Sequence, residues 1–175
     1  MMNKNEIISS LYEKHQSLVN YVQALNKEEF IKAKKNKWSA GQQVEHIFMS
    51  IRPLNQAFML PGFALKLIFG KVNRPSKSYE ELVSKYKSKL SKGGVAPSGF
   101  TPKRIDFTER NKLTTKLIAT FETLVKRTKT FSENDLDKLI LPHPLLGKVT
   151  IREMLYFTIY HAEHHQLIIT KNLAE

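Results

Sequence analysis

Along most of the chain apolar residues return every three or four positions and strict alternation is almost absent, so the pattern predicts helices. Ile7, Ile8, Leu11, Leu18, Val22 and Leu25 mark a first amphipathic helix over residues 4–25. A polar, lysine-rich interval follows as far as Trp38. Ser39 with Gln42 three positions on has the S-x-x-Q form of a capping box, so a second helix begins there and runs through GQQVEHIFMSIRPLNQAF. Pro53 lacks a backbone donor and is expected to bend it, and Pro61 with Gly62 ends it. Short helices are expected around 65–69 and over 78–90, before the glycine- and proline-rich loop SKGGVAPSGFTP at 91–102. A long helix follows from Asp106 to about Phe131, with Leu113, Leu117, Phe121, Leu124 and Val125 inward. Residues 132–149 read as a turn-rich connection without strands. Thr150 and Glu153 then form a second capping box, and the last helix runs to about Leu173.

Four amphipathic stripes with short extras are buried most simply in an all-α four-helix bundle. With 175 residues, no repeat and no linker, residues 1–175 are expected to be a single domain. The N-terminus has no signal-peptide pattern. The most apolar segment, AFMLPGFALKLIFG, is interrupted by Pro61, Gly62 and Lys66 and is too short for a bilayer. A cytoplasmic protein with no membrane partner is the expectation. There is no cysteine, which excludes disulfides, thiolate metal sites and cysteine nucleophiles. Lysine and arginine number 28 against 16 acids, a net charge of +12 that attracts anions. Most of the cations are lysines in runs such as KAKKNK and KYKSK, whereas arginine, the usual reader of bases, is sparse. The charge therefore reads as a solvated lysine surface, with no nucleic acid as partner.

The stretch HAEHHQ, residues 161–166, holds three of the six histidines. Laid out at about 100° per residue, His161 and His165 fall on or beside the apolar stripe of the last helix, and His164 on its flank. Side chains four apart on one helix face are neighbours, so two imidazoles can converge on one ion. His46 shares a face of the second helix with Ile47, Leu54 and Ala57, and Ser50 one turn later leaves room beside it. His15 falls in the polar half of its helix, and His143 lies between two prolines in a loop. A histidine from one helix and a pair from another can meet inside a bundle, where such sites are commonly built.

Two segments resemble a known family. Trp38-Ser39-Ala40-Gly41-Gln42-Gln43-Val44-Glu45-His46-Ile47 resembles the first motif of the DinB-like (YfiT-type) metal-dependent hydrolase superfamily, and HPLLGKVTIREMLYFTIYHAEHHQLII, 143–169, resembles its second. Residues 60–105 carry no signature of it. The resemblance implies an up-down-down-up bundle with a divalent transition metal, nickel, zinc or similar, on His46, His161 and His165. It further implies a homodimer and, in some members, thiol S-transfer with bacillithiol, mycothiol or glutathione.

Three neutral imidazoles leave such an ion its full charge and open positions, as in catalytic sites. Glu45 and Glu163 point off the ligand face and no H-E-x-x-H occurs, so a convincing carboxylate base is absent. The expected activity is that of a metal-dependent enzyme on a small-molecule substrate. A nucleophile carried by a low-molecular-weight thiol is favoured over hydrolysis. Trp38, Ser50 and His164 are expected to line the pocket or support the ligands. Lys92 in the 91–102 loop and Lys103 just after it are expected to give it a positive mouth. The alternative is a non-enzymatic bundle that binds a metal or small molecule.

Overall fold

The computed structural model describes residues 1–35 and 37–174. Helix α1 is Lys4–Ala24, opened by Asn3, whose side chain accepts from Asn5 and Glu6 while Glu6 returns a bond to the Asn3 N–H. The lysine-rich interval hides a further helix, α2 (Lys27–Ile31), started by the same box of Asn26 and Glu29. Its Phe30 is fully buried. Phe30 also lies so close to Gly41 that a Cβ there would meet the ring at 2.7 Å, so the WSAG segment needs its glycine. Helix α3 (Ala40–Ala57) starts at the Ser39–Gln42 box and continues through Pro53. Then come α4 (Gly62–Phe69), α5 (Tyr79–Ser91) and, after a 3₁₀ turn, α6 (Arg110–Thr128).

The connection read as strandless differs from expectation. It holds α7 (Glu133–Lys138) and a hairpin of β1 (Ile140–His143) and β2 (Gly147–Thr150), paired Ile140 to Thr150 and His143 to Gly147. A proline inside a short apolar run argues against a central strand, but in a two-stranded ribbon every strand is an edge and Pro142 is tolerated. Gly147 takes the left-handed conformation that closes the turn, φ 76°. The last helix, α8, is Ile151–Ala174.

The architecture is the all-α four-helix bundle expected from the sequence. Helix α1 packs on α8 and α6, and α3 packs on the other sides of both. Lys14 meets Glu163, and the Met2 backbone meets Tyr156, so α1 and α8 run the same way. Gln43 meets His165 and Ser50 meets His161, so α3 runs against α8. Asn55 bonds Thr120 and Gly41 faces Ile105, which makes α3 parallel to α6. The order is up-down-down-up.

Helix α8 is buried on all sides from Ile151 to Ala162, because α1, α3, α5, α7 and the hairpin surround it. At its start two charges lie inside the protein. Glu153, fully buried, takes both guanidinium nitrogens of Arg74 and the N–H groups of Lys77 and Thr150. Arg152 binds Asp137, Glu133 and the Met2 carbonyl. His15, placed by the sequence on a polar face, is instead fully buried, stacked on Phe121 and bonded through Nδ1 to the Leu11 carbonyl. Among the described residues no helix is long and apolar enough to cross a membrane.

Candidate metal centre

His46 on α3 and His161 and His165 on α8 converge, all buried. His161 Nε2 lies 3.2 Å from His46 Nε2 and 3.0 Å from His165 Nε2. The other nitrogen of each ring decides what this contact means. His46 Nδ1 sits 2.7 Å from the Phe100 carbonyl, which only accepts, so this nitrogen carries the proton. His165 Nδ1 faces Gln43 Oε1, and the amide nitrogen of Gln43 reaches the Trp38 carbonyl, which fixes the oxygen toward the ring. Ser50 donates its hydroxyl proton to the Ile47 carbonyl, leaving its oxygen to accept weakly from His161 Nδ1 at 3.5 Å.

With Nδ1 protonated in His161 as it is in the other two, three Nε2 lone pairs point at one another, an arrangement that a cation among them satisfies. The donor set therefore fits a divalent transition ion: three borderline nitrogens with the tautomer set by outer partners. Burial, and then the neighbouring imidazoles, push His161 and His165 well below the ordinary histidine value. Burial lowers His46 too, against the pull of the Phe100 carbonyl. All three are uncharged near neutrality, the state a metal needs.

The cluster forms the floor of a cavity of about 330 Å³. Its walls include Phe157, Tyr86, Met154 and Leu141, and its roof is Val95, Pro97 and Phe100 of the 91–102 loop. Trp38, Ser50 and His164 all reach this cavity. The Trp38 ring lies 4.9 Å from that of His46, and His164 stacks on Tyr160 at 5.7 Å. The loop covers the site, but its contribution is apolar. Lys92 and Lys103 are absent from the lining, and no charged side chain is in it among the described residues, so the mouth is not the positive funnel expected.

His143 packs its turn as its neighbours require: Nδ1 accepts the N–H groups of Leu145 and Leu146 at 3.1 and 3.2 Å. That bonding places the proton on Nε2. Burial, helped by Lys85, lowers the ring to about 4, so it stays neutral at pH 7 on the cavity wall. Sequence reading missed Gln43, the Phe100 carbonyl and Tyr86. Gln43 alone carried a signal, standing three positions before His46 on the same helix face.

The sequence pattern of the DinB superfamily matches residues 10–169. The chain belongs to the DinB superfamily. Among solved structures, this DinB protein is similar to that of the colibactin self-resistance protein ClbS in complex with a double-stranded DNA. The TM-score is 0.51 at 14% identity, with 96% of this chain and 93% of that chain covered, which shows a shared fold. No curated protein matches the DinB chain. The exclusion of nucleic acid as partner is corrected here, because a protein of this fold has been crystallised on duplex DNA. The scarcity of arginine bears on base reading, whereas phosphate binding needs only positive charge, which lysine supplies.

Proposed function

We propose that this DinB protein is a metal-dependent enzyme acting on a small, largely apolar molecule, with a nickel, zinc or similar ion on His46, His161 and His165. The observation that carries this reading is the convergence of three Nε2 lone pairs, each oriented by an oxygen partner at Nδ1. Such an ion supplies Lewis acidity at neutral pH, polarising an oxygen or holding a thiolate. The protein's own groups do the rest. Phe157, Tyr86 and Leu141 exclude water and hold an apolar body. His143 offers a neutral Nε2–H to an oxygen of the substrate. His164 makes no hydrogen bond among the described residues, and its Nδ1 or Nε2 is free to receive a proton; burial, with Lys87 and His46, keeps it unprotonated. Among the described residues no carboxylate lines the cavity. This favours a nucleophile brought by a low-molecular-weight thiol, and S-transfer over hydrolysis.

The test is the metal content of protein made without a histidine tag. About one ion per chain is expected in the wild type and none in His46→Ala or His161→Ala, followed by thiol-conjugation assays with the ion found. A wild type that takes up no nickel, zinc or manganese overturns the reading.

Duplex DNA as a partner is a second reading, favoured by the net charge of +12 and by the DNA complex of the similarly folded ClbS. Binding to a duplex should then weaken linearly in log–log against salt and ignore chelators. Absence of binding at low salt removes it.

A further inference from the structure

Nine large apolar side chains stand exposed among the described residues, and five of them fall within ten positions: Met59, Leu60, Phe63, Leu67 and Ile68. This cluster is the outer side of the α3–α4 corner. Helix α4 packs by one face on β1, burying Leu65 and setting Gly62 against Leu139. Its other face has nothing over it: Phe63 is 75% and Leu67 85% exposed. Phe63 and Leu67, four apart on α4, form an exposed apolar ridge, and Met59 and Leu60 are exposed at the corner just before it.

The charge on the segment that carries the ridge has one sign. Between Glu45 and Glu80 the chain has no acidic residue, but it has Arg52, Lys66, Lys71, Arg74 and Lys77. Lys66 and Lys71 are exposed beside the ridge, and Lys148 places its ammonium on the Phe69 carbonyl at the end of α4. Asp135 is the acid facing Lys66, and its carboxylate is already engaged by Ser132.

Whatever covers the ridge must be apolar at the centre and anionic at the rim. A second copy of this chain supplies the first but sets Lys66 and Lys71 near their own duplicates. Duplex DNA supplies the second but no apolar phase for Phe63 and Leu67. An anionic bilayer surface supplies both. We propose that the α3–α4 corner docks on anionic lipid, with α4 flat in the headgroup region, Phe63 and Leu67 at the acyl boundary, and Lys66 and Lys71 on phosphates. This runs against the sequence expectation of no membrane partner, which considered spanning and not lying on the surface. Ala57 and Phe69 of the same corner also line the cavity, so docking brings its uncharged interior beside the lipid. The surface stands on its own observations and does not need the ion.

The experiment is flotation of the full chain with vesicles of phosphatidylcholine alone or with about a third phosphatidylglycerol, with and without chelator. The wild type is expected to float with the anionic vesicles whether or not chelator is present, and less so at about 0.5 M salt. Phe63→Ser with Leu67→Ser should lower partitioning about tenfold or more, and Lys66→Glu with Lys71→Glu should do so on anionic vesicles. All four positions are exposed, so circular dichroism should show an unchanged fold. The proposal is overturned if the wild type does not float, or if the double serine variant floats equally well. It is equally overturned by a lipid-free dimer that the serine variant dissolves and no vesicle binding, which gives the ridge to a second copy.

Discussion

Two groups of buried polar side chains lie along α8, one at its start and one around its middle, and they are built on opposite terms. At the start, Arg152 and Glu153 meet opposite charges and backbone groups until nothing is left over. Around the middle, His161 and His165 meet His46 nitrogen to nitrogen, with no opposite charge among them. The first group balances its charges within the chain; the second gathers three ring nitrogens around one point, where an ion from outside would fit. Burial alone therefore does not separate scaffold from site. The kind of partner each buried group faces does.

The sharpest way to break the contrast is to remove one member from each. Glu153→Ala leaves Arg74 without its counter-charge and two N–H groups without partners, and should cost about 3–5 kcal/mol in urea unfolding. His161→Ala, in metal-free protein, takes away a ring whose Nε2 had no donor to bond and should cost less than about 1 kcal/mol. Equal losses would mean that the histidine cluster is scaffold as well.

Acid should separate the histidines from the ion pairs. Full burial holds His15 at about 4 and burial holds His143 at about 4, against an ordinary 6.5. Between these values the unfolded chain binds protons that the folded one refuses. The stability they confer is whole above about pH 6.5 and falls as pH drops toward 4, by roughly 3 kcal/mol for His15. Burial alone would raise Glu153 and Asp137, but the bonds from Arg74 and Arg152 prevail and hold both below the ordinary carboxylate values. Their contribution is present above the unfolded value and is lost only as pH falls through the lowered one. Urea midpoints against pH should thus decline in two stages, and His15→Leu should shrink the first alone.

The smallest effects should grade the outer partners of the cluster. Gln43→Ala frees the His165 ring and should weaken metal binding about 10–100-fold. Ser50→Ala removes only a 3.5 Å contact and should change it less than about threefold. Competition against a chromophoric chelator measures both, and a reversed ranking would show that His161 and not His165 is the ligand held in place.

Much of this was legible in the chain. The Ser39–Gln42 and Thr150–Glu153 boxes stand where S-x-x-Q and T-x-x-E placed them, because a cap is a local agreement between side chain and backbone. His46, His161 and His165 share a centre because helical spacing fixes which face a residue takes. What was not legible depends on neighbours that spacing does not describe. The hairpin needs pairing across its turn, and its proline argued against it. His15 sits on a face that looks polar until α6 brings Phe121 over it. The apolar roof over the cavity rests on how an aperiodic loop closes, for which there is no repeat to read.

That roof has a mechanical consequence. The Phe100 carbonyl at its inner edge is the oxygen that orients His46. Door and lock share a bolt. A displacement of Phe100 by about an ångström takes the 2.7 Å contact out of bonding range and frees the imidazole to turn. Raising the loop to admit a larger guest would therefore also release the His46 ring, whose orientation would return only with the Phe100 carbonyl.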